Sequence, residues 1–158
     1  MAERLREHLA RVRELTAQLN AHSDEANTVV AAVEIFLTEV CNVGVDASVC
    51  VDGAGDEDGT HWDRLLRYGR SYDGTYRFFL VDRDFDNPDS RDGSPSEKWT
   101  PWANCARDIR LSAYDRLPDL LTKLIAQLEA RIAKLQASTA SIETILEFAA
   151  PPKKGGKR

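Results

Sequence analysis

The sequence predicts an α+β fold in which a long antiparallel helical hairpin of the coiled-coil type flanks a small antiparallel β-sheet. Three observations predict it: apolar heptads at both ends of the chain, alternating apolar residues between them, and an Asp-Gly turn among aromatic residues. A chain of 158 residues is the right length for one domain. We expect that domain to span residues 1–150, with residues 151–158 as a basic flexible tail.

The N-terminal segment carries apolar residues at alternating intervals of three and four positions, from Leu5 to Val40. This spacing places one narrow stripe along one side of a helix, as in the seam of a coiled coil. Neither Gly nor Pro interrupts the segment, so we expect one continuous helix over residues 2–41.

A second stripe follows the C-terminal segment. It steps by four and three through Leu121, Ile125, Leu128, Ile132, Leu135, Thr139, Ile142 and Leu146. We expect a long helix over residues 118–148, because Pro118 suits the first helical turn. A short helix over residues 104–117 precedes it, with Asn104 as N-cap.

The charges of the two long helices favour antiparallel packing. The first half of the N-terminal helix is rich in arginine, and the end of the C-terminal helix offers only glutamate. Ordinary packing into a core is the simpler interpretation of both stripes. Further apolar residues beside the two stripes, such as Val29, Phe36 and Ile145, make the apolar face of each helix wider than the seam. This width predicts a homodimer, because a second copy would cover the faces that one chain leaves exposed.

A β insert is expected over residues 43–102, where nine of the twelve aromatic residues lie. Alternating valines over residues 43–51 indicate a half-buried strand. Asp73 and Gly74 predict a two-residue hairpin turn between two further strands. Acidic stretches over residues 52–59 and 82–97 are expected to be loops.

A two-residue turn places arginines opposite each other across this hairpin, because it pairs Arg70 with Arg77 and Arg64 with Arg83. Like charges directly across a strand pair destabilise it, so something must offset them. One interpretation is structural: acids of the two loops neutralise the arginines, with Asp56, Asp58 and Asp84 as the candidates.

The functional interpretation is an anionic partner, either a phosphate or an acidic protein surface. The four arginines would bind it through charge-assisted hydrogen bonds. Tyr68, Tyr72 and Tyr76 would add stacking surface.

Trp99 and Trp102 flank a proline after the second acidic stretch. They are predicted either to cap the core at the base of the hairpin or to form an exposed docking surface, since Trp is enriched in binding hot spots.

Motifs for catalysis, metals and cofactors are absent from the sequence. Asp82, Asp84 and Asp86 begin like a calcium loop, but the positions that should be Gly and Glu hold Asn87 and Gly93. His61 beside the acidic stretches is a candidate proton carrier without a nucleophile motif. We therefore expect no metal and no cofactor, and an enzyme remains only an alternative.

Charge and cysteine content narrow the class of partner. The net charge of −5 argues against a general polyanion binder. No apolar run is long enough to span a membrane. Three widely spaced cysteines suit a reducing, cytoplasmic location.

The layout of two long helices around a small β insert resembles that of prefoldin-type coiled-coil chaperone subunits. The resemblance implies an oligomer whose helical arms hold a client or partner. The expected function is thus a non-enzymatic interaction protein, a self-associating coiled-coil hairpin that binds another macromolecule, in particular another protein. The alternative is a nucleic-acid-associated factor that uses the arginine-rich hairpin and the basic tail.

Overall fold

The computed structural model describes residues 2–56, 59–86 and 94–149, and it confirms the α+β class. Four strands form one antiparallel sheet in the order β1-β2-β3-β4. The helices are α1 (Ala2–Ile35), α2 (Arg107–Tyr114) and α3 (Leu117–Ala149), and the strands are β1 (Ala47–Asp56), β2 (Gly59–Arg70), β3 (Tyr76–Asp84) and β4 (Ser96–Pro101).

Helix α1 is continuous, as its uninterrupted heptads predict, and it ends in a π-helical turn over Phe36–Val40. The Cys41 N–H donates to the Phe36 carbonyl at 2.9 Å and closes this turn. Asn42 then takes a left-handed conformation with φ 50°, which asparagine tolerates better than most residues. The chain thereby reverses from the end of α1 towards β1.

The hairpin between β2 and β3 differs from the prediction by one residue. Ser71 and Thr75 are joined at 2.7 Å, so three residues form the loop, and the last of them, Gly74, has φ +86°. A three-residue loop with a left-handed glycine is the next most common hairpin after the two-residue type. The extra loop residue pairs Tyr68 with Phe78 and Leu66 with Leu80.

The core lies between one face of the sheet and the helices. Strand residues Leu66, Tyr68, Phe78 and Leu80 are buried there. The helices contribute Val30 of α1, Leu37 of the π-helical turn that follows it, Ala113 of α2, and Leu117, Leu120 and Leu124 of α3. Only the C-terminal half of α1 and the N-terminal half of α3 therefore build the core.

Helix α3 follows the free edge of β1, and cations of α3 and of Arg116 just before it bind carbonyl groups of β1 and of Gly44 just before that strand. Arg116 donates to the Cys50 carbonyl at 3.0 Å, Lys123 to Ser48 at 2.7 Å, and Arg131 to Gly44 at 3.2 Å. Residue numbers rise along α3 as they fall along β1, so the two elements run antiparallel. This contact satisfies backbone groups that an edge strand otherwise exposes.

Helix α1 lies on the same face of the sheet and contacts its opposite edge, where β3 and β4 lie. Its Glu34 carboxylate accepts the Phe78 N–H at 2.6 Å, just beyond the last β3–β4 pair. Asn27 accepts the indole N–H of Trp102 at 3.1 Å. Among the described residues, no ion pair joins α1 to α3. Among the described side chains, the charge pattern that favours antiparallel packing of the two helices thus forms no such pair; the side chains of Glu143 and Glu147 lie outside them.

Three local features differ from the expectations. Strand β4 is an additional element, since its sequence, Ser-Glu-Lys-Trp-Thr-Pro, has no clear apolar alternation that predicts a strand. Asn104 is not an N-cap: it ends a 3₁₀ turn over Trp102–Asn104, and α2 begins at Arg107 after Ala106. The acidic stretches are not loops throughout, since β1 extends to Asp56 and β3 includes Asp82 and Asp84.

Candidate partner-binding surfaces

The predicted arginine pairs are wrong, because the one-residue change of register moves every arginine. Arg64 lies opposite Asp82, Arg83 opposite Asp63, Arg77 opposite Gly69, and Arg70 opposite Tyr76. A shift of one residue also moves the side chains of one strand to the other face relative to its neighbour. Arg64 and Arg83 therefore lie on opposite faces of the sheet: Arg64 on the face of Leu66, and Arg83 on the face of Val81.

Carboxylates neutralise three of these four arginines. Arg64 Nε donates to Asp82 Oδ1 at 2.5 Å, and Arg77 Nη2 donates to Asp73 Oδ2 at 2.6 Å. Arg83 binds both carboxylate oxygens of Asp63, with Nε to Oδ1 at 2.7 Å. The hydrogen bond that Arg83 donates to the Asp63 carboxylate is the main cause that raises the pKa of the Arg83 guanidinium.

The neutralising acids lie in the strands and in the turn itself. Carboxylates of the protein itself thus neutralise the arginines, as the structural interpretation has it, but they are not the loop acids that it named. Asp56 lies opposite Gly59 and Asp84 lies opposite Trp62, and Asp58 lies outside the described residues. Arg70 differs from the other three, since its Nε donates to the Gly74 carbonyl at 3.2 Å.

The three candidate tyrosines occupy different environments. Tyr68 is fully buried, its hydroxyl donates to the Val43 carbonyl at 3.2 Å, and burial raises its pKa to about 12. Tyr76 stacks on Tyr68 with ring centroids 5.5 Å apart. Tyr72, at the hairpin loop, is fully exposed. Among the three, Tyr72 is the one whose ring is open to a partner.

The two candidate tryptophans also separate. Trp102 is buried beside Asn27 and caps the core, which is the structural alternative predicted for it. Trp99 lies on the other face of the sheet, where its ring meets Phe79 edge-on at 5.4 Å. The Arg67 guanidinium covers the Trp99 ring at 4.3 Å from the centroid. A small second core of Leu65, Phe79 and Val81 lies beneath.

A groove of about 410 Å³ opens beside Trp99, and we call it the outer groove. It is lined by Arg70, Ser71, Tyr72, Phe79, Trp99 and Pro101. Tyr, Trp and Arg are the residue types enriched in protein-binding hot spots. The structure thus brings together one predicted arginine, one predicted tyrosine and one predicted tryptophan, and the sequence alone could not show that they meet.

A second cleft, of about 480 Å³, contains the candidate proton carrier. His61 Nδ1 lies 2.8 Å from an Asp86 carboxylate oxygen, and Trp62 and the Arg64–Asp82 pair line the same cleft. A carboxylate that orients an imidazole is common in acid–base catalysis. The described residues that line this cleft include no serine, threonine or cysteine.

Two rows of exposed apolar residues follow the long helices, one on the outer half of α1 and one on α3 between Ile125 and Ile142. The α1 stripe consists of Leu5, Leu9, Val12, Leu15 and Leu19, whose side chains are 43–59% exposed. The α3 stripe consists of Ile125, Ile132, Leu135 and Ile142, which are 54–60% exposed. The seam that the heptads predict is therefore not closed by helix packing within this chain.

Comparisons with protein-family models, with curated proteins and with solved structures give no match to this chain. Within the described residues, no helix is long and apolar enough to cross a membrane, and no group of acidic, His and Cys side chains is arranged to hold a metal. The resemblance to prefoldin-type subunits therefore rests on the order of helices and strands alone.

Proposed function

We propose that this chain is a non-enzymatic interaction protein, a homodimer formed through its long helices, which binds another macromolecule in the manner of a chaperone, adaptor or regulator. The observation that carries the proposal is the pair of apolar stripes left exposed on α1 and α3. Contiguous apolar patches on soluble proteins usually mark interaction surfaces.

The outer helix halves are not needed for the core. Residues 3–22 of α1 and 129–142 of α3 are exposed on every side, whereas the core uses later residues of α1 and earlier residues of α3. Isolated helices of such lengths are marginal in water, and most helical stability comes from packing of an apolar face. Both stripes therefore favour a partner from outside the chain.

The heptad spacing favours another helix as that partner. Residues three and four apart lie side by side on a helix, and a facing coiled-coil helix inserts its side chains between them. A second copy supplies such a helix with the same spacing. Two chains would together provide the four helices of a bundle.

The outer groove is our candidate surface for the second macromolecule. Tyr72 and Arg70 border it from the hairpin, and Trp99 borders it from β4, on the face of the sheet opposite the helices. Dimer formation through the helices would leave this face open. A cytoplasmic location fits the free state of Cys41, Cys50 and Cys105.

The test is the mass in solution by light scattering at micromolar concentration. We expect twice the chain mass of 17.7 kDa for the wild type. Leu135→Glu should shift the protein to the monomer, because it places a charge in the α3 stripe. Ala137→Glu is the matched control, since it adds the same charge two residues away on the outward side of the helix. A monomeric wild type would overturn the proposal.

The outer groove is tested by affinity capture from the native host. Proteins that the wild type retains, and that Tyr72→Ser and Trp99→Ser lose, are candidates for the second partner. The α3 variant Ala137→Glu should retain them. A partner that is lost steeply with added salt and after nuclease treatment would indicate nucleic acid instead.

A further inference from the structure

The α3 stripe carries a concavity on its surface. An open concavity of about 350 Å³ lies on α3 alone, lined by Ile132, Leu135, Gln136, Thr139 and Ala140. Four of these residues have the spacing i, i+3, i+4, i+7. That is the set of four side chains that forms a hole for one knob of a facing helix in a coiled coil.

We propose that this hole receives the α3 helix of a second copy, antiparallel, about a two-fold axis that passes between Ile132 and Leu135. The inference rests on the proposed self-association and specifies its interface. In this register Ile132 packs against the partner's Leu135, and Ile125 packs against the partner's Ile142. Symmetry repeats both contacts, so the exposed apolar residues of the α3 stripe cover one another.

The charges beside the stripe select this register. Glu129 and Gln136 flank the seam on one side, and an antiparallel pair brings the same flank of both helices together. The proposed register places Glu129 beside the partner's Gln136, without like charges. A shift by one heptad towards the core would place Glu129 against the partner's Glu129. A shift the other way would place Ile132 against the partner's Ile142 and Leu135 against the partner's Thr139, and it would leave Ile125 opposite Ala149 rather than opposite a residue of the stripe.

Because an antiparallel pair brings the same flank of both helices together, the charges of α1 disfavour its pairing with the α1 helix of a second copy. The flank of the α1 stripe that corresponds to Glu129 and Gln136 carries Arg6 and Arg13. The antiparallel registers that pair Leu9 with Leu5, Val12 or Leu19 of the second copy bring these arginines against arginines of that copy. Like charges at such positions destabilise a helix pair.

The placement of the sheet is compatible with this dimer. Residues Leu117, Leu120 and Leu124 at the start of α3 are buried in their own core. In the proposed register they lie opposite the far end of the partner's helix, beyond its Ile142. The two sheets thus occupy opposite ends of a two-helix rod, and the stretch Ile125–Ile142 between them spans roughly 27 Å at 1.5 Å per residue.

The sign of a charge at position 136 tests the arrangement. In the antiparallel α3 dimer, Gln136→Lys places two lysines beside the partner's Glu129 and its symmetry mate, so the dimer dissociation constant should fall by about threefold to tenfold at low salt. Gln136→Glu should raise it by a similar factor. Glu129→Lys combined with Gln136→Glu should restore it. Sedimentation equilibrium measures all four proteins.

Each competing arrangement gives a different result. In a parallel α3 pair, position 136 lies beside the partner's Arg131, and in an α1–α3 pair it lies beside the partner's Arg13. Either would make Gln136→Glu bind more tightly and Gln136→Lys more weakly, which would overturn the antiparallel register while leaving self-association intact. A dimer insensitive to both charges would also overturn it. A wild type that stays monomeric at the highest concentrations would overturn the proposed function as well.

Discussion

At the scale of single residues, ion pairs decide what the arginines of the hairpin do. Asp63 is buried, and its carboxylate is bound by Arg83 across the strands. Asp73 and Arg77 form their pair at the exposed hairpin loop instead. A buried carboxylate without its cation costs far more than an exposed one, because water cannot replace the lost partner.

We therefore expect Arg83→Gln to lower the free energy of unfolding by about 1–3 kcal/mol. Arg77→Gln, the matched control, should change it by less than about 0.5 kcal/mol, since surface pairs contribute little. Denaturant midpoints at a constant unfolding slope measure both. The double variant Asp63→Asn, Arg83→Gln should recover part of the loss. Equal losses in the two single variants would contradict the assignment.

The Tyr68 hydroxyl predicts a specific response to alkali. Its folded pKa of about 12 lies above the ordinary value of 10.0, so the neutral form stabilises the native state. That contribution is fully present below pH 10.0 and is lost as the pH rises through about 12. Tyr68→Phe should flatten the fall in unfolding free energy over this interval. An identical pH dependence of wild type and variant, measured by denaturant unfolding, would contradict the prediction.

At the scale of elements, the contact of α3 with β1 protects one edge of the sheet. Lys123 makes the shortest of the three bonds to edge carbonyls. Lys134, eleven residues further along α3, is exposed and donates no side-chain bond that would hold the sheet edge among the described contacts. The two lysines thus form a matched pair on one helix.

We expect Lys123→Met to lower the unfolding free energy by about 1 kcal/mol, the typical net contribution of one hydrogen bond, and to promote aggregation through the freed β1 edge. Lys134→Met should leave both properties unchanged. Denaturant midpoints and turbidity on warming provide the measurements. Equal aggregation of the two variants would mean that another feature protects the edge.

At the scale of the whole molecule, the chain consists of a closed core and two exposed helix halves. If the helix halves associate, folding and dimer formation are coupled, and stability depends on protein concentration. The thermal midpoint of the wild type should rise with concentration around the dimer dissociation constant. The midpoint of Leu135→Glu should be lower at high concentration and independent of dilution. A wild-type midpoint that does not move over a hundredfold dilution, measured by calorimetry or circular dichroism, would contradict this coupling.

The elements and their order could be predicted from the sequence, because local periodicity determines them. Seven-residue spacing without Gly or Pro predicts α1, the stripe after Pro118 predicts α3, and the aromatic segments around Gly74 predict β2 and β3. Each of these signals depends on residues close together in the chain. The short β4 carries no such signal and was missed.

The tertiary structure alone decided the register of the hairpin and the composition of the outer groove. Tyr72 joins Asp73 and Gly74 in the loop, and this one additional residue changes every cross-strand pair. An Asp-Gly sequence suits both the two-residue and the three-residue loop, so these two residues do not select between them. Trp99 lines the same groove as Tyr72 only because β4 pairs with β3. The order of apolar, charged and turn-forming residues along the chain determines the elements. Which of them meet depends on contacts between distant segments, where small differences in pairing energy select one arrangement.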